Sequence, residues 1–190
     1  MSRPERPADL AMDLLGLARA AGADAADLLV AEGTEFSVTV RRGEVETLKE
    51  AGSKALGIRV FVAQRTALSY TSDFSRPALR DLVEETVGMA RATGEDPAAG
   101  LPDDTVPADD LDLALHDPSP ATLPTEERIE RTRAAEAAAL ETPGITNSQG
   151  ATWGSVESSV LLANTKGFVG SYRTSSVALS VVPQAERACR

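Results

Sequence analysis

The 190-residue sequence predicts an α+β fold, an antiparallel or mixed β-sheet with packed helices. Three observations lead there. Residues 35–41 and 55–62 alternate apolar and polar side chains with the period of two that marks a half-buried strand. Residues 8–21, and the stretch from Leu79 to Ala90, instead space their apolar side chains as a helix does. Strand and helix signals also come in groups, which disfavours a doubly wound parallel sheet.

Leu10, Leu14, Leu15, Leu17 and Ala18 share a helical face, with Asp9 and Asp13 in the first turns and Gly22 as the stop. Ala25–Ala31 is a short apolar run read as a strand. In Glu35–Arg41, Phe36, Val38 and Val40 fall on one face. Arg42-Gly43 turns the chain into a more polar strand, Glu44–Lys49. Ala55–Val62 places Leu56, Ile58, Val60 and Val62 together, and Gln64-Arg65 turns it into Thr66–Thr71. The result is an antiparallel meander. Ser75 is the expected N-cap of the next helix, whose stripe is Leu79, Leu82, Val83, Val87, Met89 and Ala90.

Residues 94–124 hold six of the eleven prolines and most of a run of acids, and are read as an extended, solvated connection. Leu111, Leu113 and Leu115 are the residues expected to pin it to the surface. Thr125 is the expected cap of a helix that runs through Leu140 and stops at Pro143-Gly144. Four strands follow, at Ile145-Thr146, Ser155–Ala163, Gly167–Thr174 and Val177–Val182, with Asn164–Gly167 as a hairpin turn. The organisation expected is a helix–meander–helix part over 1–93, an acidic linker over 94–124, and a helix with hairpins over 125–190.

Charge and composition exclude several functions. Ten of the 29 acids lie between Arg91 and Arg128, where there is no Lys or Arg, which leaves 19 acids against 19 Lys and Arg elsewhere. No basic face supplies the phosphate-neutralising contacts of nucleic-acid binding. One His and one Cys cannot build a His/Cys zinc site, which needs three or four such ligands, nor an internal disulfide. No apolar run approaches a membrane span or a signal peptide, so the cytoplasm is the expected address and no membrane partner is expected.

Single residues have ordinary readings. His116 reads as a surface residue of the linker, and Cys189 as part of a fraying terminus. Glu44, Glu46 and Glu50 lie near Arg41, Arg42, Lys49 and Lys54, which suits cross-strand ion pairs better than acid–base chemistry. The linker acids match no calcium loop. Neither glycine-rich phosphate motif occurs, and no Gly-x-Ser-x-Gly elbow is present. Ser155, Ser158, Ser159, Ser171, Ser175, Ser176 and Ser180 read as solvent-facing strand residues. Trp153, Phe168 and Tyr172 read as core or half-buried sheet positions.

An ordered set of segments carries a family resemblance. It comprises Gly22–Val30, Arg42-Gly-Glu-Val-Glu46, Ala55–Val60, Ser72-Asp73-Phe-Ser, Asp109-Asp-Leu-Asp-Leu113 before His116-Asp-Pro118, Ile145-Thr-Asn-Ser-Gln-Gly150, Leu162–Phe168 and Gly170–Thr174. From about residue 10 to 182, the chain resembles the N-terminal portion of the TldD/PmbA family, the PmbA (TldE) branch more than TldD. The resemblance implies the N-terminal domain of a two-domain family linked to maturation or degradation of small proteins and peptides. It implies a heterodimer in which a TldD-like subunit carries a His-Glu-x-x-x-His zinc motif, while the PmbA-like chain has no catalytic or metal residue of its own. Zinc is therefore expected only in the TldD-like partner, with self-association as the other assembly and a peptide as substrate. Family members have also been called modulators of DNA gyrase, for which this charge pattern offers no direct DNA contact. They continue through a second, mostly β domain, so the chain is expected to be an N-terminal fragment or truncated gene product. Asn164, Gly167 and Phe168 are the candidates for the wall of a peptide channel. A stand-alone interaction or scaffold domain without a proteolytic role is the alternative reading.

Overall fold

A computed structural model describes residues 6–103 and 112–185. Cys189, the acids Asp104, Asp109 and Asp110, and Leu111 lie outside the described residues. The elements in chain order are α1 (Pro7–Ala20), β1 (Ala25–Arg41), β2 (Glu44–Val62), β3 (Arg65–Thr71), α2 (Arg76–Ala92), α3 (Ser119–Thr122), α4 (Thr125–Leu140), β4 (Ile145–Asn164) and β5 (Val169–Ala185). The five strands form one sheet in the order β3-β2-β1-β4-β5. The α+β class is as predicted.

All neighbours run antiparallel. On β2 and β3, Leu56 faces Thr71 and Val62 faces Arg65. Across β1 and β4, the Thr165 N–H just past β4 donates to the Ala26 carbonyl, and the Thr39 and Thr152 hydroxyls meet at 3.0 Å. One number rises as the other falls, which only an antiparallel pair allows.

The strands are longer than sequence patterning suggests. The pairs 25–31 and 35–41, 44–49 and 55–62, and 167–174 and 177–182 were expected as separate strands. Each pair falls in a single continuous strand, except that Gly167 and Phe168 stay in the turn before β5, and 145–146 joins 155–163 in the same way. The polar and glycine-containing gaps remain in the ladder because strand hydrogen bonds use backbone groups and need no apolar side chain. Within β4, Gly150 adopts φ +109°, and the parity of the buried positions shifts across it from Ser148 to Ala151, Trp153 and Ser155. That is the behaviour of a bulge. A Cβ at Gly150 would lie 2.8 Å from the Val40 carbonyl oxygen, so no other residue fits without a shift.

The β1–β2 turn is Arg42-Gly43, both at positive φ, as a two-residue hairpin turn with matching twist requires. The β2–β3 turn is Ala63-Gln64 and not Gln64-Arg65, again with both residues at positive φ. Neither expected cap residue bonds as a cap. Ser75 occupies the cap position of α2 without a side-chain bond, and Asp73 Oδ1 accepts the Ser75 N–H at 2.8 Å instead. At α4, Pro124 holds the cap position and Thr125 is the first helical residue.

The described residues form two compact units, each assembled from three chain segments. The first draws on Met1–Glu32, Ser53–Asp112 and Ser159–Tyr172. Its core gathers Leu14 and Leu15 of α1, Leu28 and Val30 of β1, Leu56, Ile58 and Val60 of β2, and Leu79, Val83 and Val87 of α2. These are the apolar faces that the period-two and helical patterns select. The second unit draws on Gly33–Gly52, Leu113–Ser158 and Arg173–Arg190. Its smaller core is Phe36, Val38 and Trp153, with Leu123 and Ile129 against it.

Two of the leucines expected to pin the acidic connection do not do so. Leu113 is 66% exposed and Leu115 45%, so neither pins the chain. Leu101 is buried in their place. Around Leu115 backbone groups make the attachment: the Ser175 N–H donates to the Leu115 carbonyl, and the Asp117 N–H donates to Ser175 Oγ.

Candidate functional site

The turn Asn164–Phe168 in the first unit contains all three residues expected at a channel wall. Asn164 is buried, and its Oδ1 accepts the N–H groups of Lys166 (2.9 Å) and Phe168 (3.1 Å), which closes the loop upon itself. Gly167 adopts φ +92°, the left-handed conformation that glycine takes without strain. Phe168 is half-buried and lies against Gly170, where a Cβ would approach its ring to 2.8 Å. Thr165 ties the turn to β1 by accepting the Ala26 N–H on Oγ1, and Arg19 donates to its carbonyl. Lys166 Nζ donates to the Pro102 carbonyl at 2.7 Å and reaches the Asp103 carboxylate at 3.4 Å. Asn164 thus shapes the turn from within, and Phe168 offers the partly open ring.

A second concentration of polar chemistry lies in the other unit, which the sequence reading passed over. α4 sets Arg128 against Phe36 of β1, its guanidinium carbon 4.4 Å from the ring centroid. Arg128 is 8% exposed, its Nη2 donates to the Ala121 carbonyl at 3.0 Å, and its Nε has no hydrogen-bond partner. It borders a cavity of about 230 Å³ whose wall includes Glu35, Glu50, Ser155 and Glu157. His116 was expected on the surface, yet it is half-buried with Nε2 3.4 Å from Glu157 Oε1. Arg173 reaches the other Glu157 oxygen at 4.0 Å. Ser155 is buried where a solvent-facing hydroxyl was expected, because β4 turns it to the side of Trp153. Trp153 is core as predicted, whereas Tyr172 is 54% exposed on β5. β5 ends the strand order, and its side chains are mostly open to solvent.

The β1–β2 turn has its own anchor. Glu136 of α4 is 1% exposed, and its two carboxylate oxygens accept the N–H groups of Arg42 (2.9 Å) and Gly43 (3.0 Å). Arg133 Nε completes the grip by donating to the Gly43 carbonyl at 2.7 Å. Burial, the largest single influence, pushes the Glu136 carboxyl up. The Gly43 and Arg42 N–H groups, the Ser148 hydroxyl and the charge of Arg41 together outweigh it and hold the group below its ordinary value. The sequence carries a signal for this residue: it is the only acid in the alanine-rich stretch Ala134–Leu140.

The strand carboxylates near Arg41 and Lys49 form the expected ion pairs in part. Arg41 lies 3.8 Å from Glu46, and Lys49 lies 3.4 Å from Glu35. Lys54 sits over the Phe74 ring, 4.6 Å from its centroid. Among the described residues no group of three His, Cys, Asp or Glu could hold a metal ion, and no helix is long and apolar enough to cross a membrane.

The sequence matches a class of domain described for metallopeptidases. Residues 26–90 match the model of PmbA/TldA metallopeptidase domain 1, and residues 118–189 match that of the PmbA/TldA metallopeptidase central domain. Metalloprotease PmbA of Escherichia coli O157:H7 is 34% identical over 161 residues, which are 83% of this chain and 35% of that protein. A PmbA homologue of Haemophilus influenzae is 34% identical over 166 residues, 86% of this chain and 36% of its own length. The fold is shared with a proposed modulator of DNA gyrase from Bacteroides thetaiotaomicron, with TM-score 0.84 and 22% identity over 97% of this chain and 43% of that one. TldE from Thermococcus kodakarensis gives TM-score 0.75 and 14% identity over 94% of this chain and 40% of its own. The chain belongs to the PmbA/TldD family and corresponds to its N-terminal portion. It spans about a third of the length of the curated relatives it matches.

Proposed function

We propose that this chain acts as the N-terminal part of a PmbA/TldE-like subunit in a zinc-dependent peptidase, carrying no catalytic residue itself while a TldD-like partner holds the metal. The observation that carries this reading is the 34% identity to proteins named metalloprotease PmbA over more than four-fifths of the chain. In a His-Glu-x-x-x-His site, two His bind zinc from one helical face and the Glu activates the bound water. One His in the whole chain leaves that chemistry to the partner. The contribution of this chain is shape: β3 and β5 end the strand order and offer edges that an extended peptide can join by strand addition. The turn Asn164–Gly167, closed by the Asn164 carboxamide and followed by Phe168, forms part of the wall. The complex works on peptides in the cytoplasm and makes no direct contact with nucleic acid.

Co-purification tests the reading. The tagged chain, in its native length, is expected to retain a subunit bearing His-Glu-x-x-x-His, and the recovered complex to lose peptide hydrolysis with a chelator and regain it with zinc. Recovery without any such subunit favours an interaction domain with no proteolytic role and overturns the proposal.

A further inference from the structure

The cavity beside Arg128 holds two opposite charges that lack ion-pair partners among the described residues. Arginine keeps its charge when buried, and its planar fork suits a carboxylate. A buried cation without a counter-ion is costly, so a bound carboxylate there gains more than one at the surface. Glu35 is matched by Lys49, and Glu157 by Arg173. On the same wall Arg128 and Glu50 have no ion-pair partner among the described residues, and Arg128 Nε, shielded from solvent, is without a hydrogen bond. Arg128 is buried and Glu50 exposed, so the wall offers a positive group inside and a negative one towards solvent. Ser155, a buried residue, adds a neutral polar side chain to the same wall. The volume, about 230 Å³, lies below the range usual for drug-sized ligands.

We propose that this cavity binds a small zwitterion with a free α-carboxylate and a free α-ammonium, an amino acid or a dipeptide, the carboxylate on Arg128 and the ammonium on Glu50. The assignment concerns this chain alone and stands whether or not it joins a peptidase.

Isothermal titration calorimetry of the full chain with alanine, alanyl-alanine, N-acetyl-alanyl-alanine and alanyl-alaninamide tests it. Alanine or alanyl-alanine is expected to bind, and the stronger of the two reports the size the site accepts. Blocking either terminus is expected to weaken binding about tenfold or more, the effect of removing one charge-assisted contact. Arg128→Lys keeps the charge and loses the fork, and is expected to weaken carboxylate binding about tenfold. Because that variant can disturb the Phe36 contact, Glu50→Gln at an exposed position serves as the second: it is expected to melt like the wild type and to bind the acetylated and free dipeptides alike. Absence of heat from both free ligands at millimolar concentration, or equal binding of free and blocked forms to the wild type, overturns the proposal.

Discussion

Glu136 is the residue with the clearest energetic role. Its carboxylate takes two backbone N–H groups of a turn whose residues both sit at positive φ, so removing it leaves two part-buried donors without this acceptor. Glu136→Gln is expected to cost about 2–3 kcal/mol in urea unfolding at neutral pH, the usual loss for charged hydrogen bonds at a buried group. The sign of its pH dependence follows from the depressed value. The folded carboxyl titrates below 4.5 and the unfolded one near it. The stabilisation is therefore fully present above that value and is lost as pH falls through the lower, folded value. Wild type should lose stability below about pH 4.5 more steeply than Glu136→Gln, and parallel curves for the two proteins would remove Glu136 from this role. Gly150 is the second such residue. Gly150→Ala adds a Cβ 2.8 Å from a backbone oxygen at φ +109°, and should destabilise by about 2 kcal/mol or more in thermal melts.

At the scale of elements, burial decides which apolar residues matter. Ile58→Ala empties a fully buried position between β2 and the helices and should cost about 2–5 kcal/mol. Leu113→Ser, at an open position in the acidic connection, should stay within about 0.5 kcal/mol of wild type. Denaturant titration of both variants checks the contrast. The same contrast explains what could be read in advance. Leu56, Ile58 and Val60, or Leu79, Val83 and Val87, declare their face by periodicity alone. Leu113 and Leu115 lack a partner face, and nothing in their spacing says so. The ends of the strands were hidden because Glu32-Gly33-Thr34 and Glu50–Ser53 look like breaks, while the backbone ladder continues through them. The Arg128 cavity was invisible for a related reason: Thr34–Phe36, Glu50, Arg128 and Ser155–Glu157 come from four separate stretches of chain. The ordered motifs of Asn164–Phe168 made a turn legible, and there the structure adds that Asn164 is spent on the turn while Phe168 remains partly open.

At the scale of the whole molecule, composition and family say complementary things. One His and one Cys leave no room for a zinc site of the His/Cys kind within this chain. Membership of the PmbA/TldD family, over about a third of the length of its curated relatives, places the chain with proteins named for metalloprotease activity. The net charge of −10 belongs to the stretch between Arg91 and Arg128, and the remainder is balanced. In the function proposed above, this chain supports a zinc peptidase without performing the chemistry. Peptide hydrolysis by this protein alone, by a TldD-like subunit alone and by the two together measures it most directly. Chelator-sensitive turnover is expected to be highest for the pair and absent for this protein by itself. Chelator-resistant hydrolysis by this protein alone would contradict it.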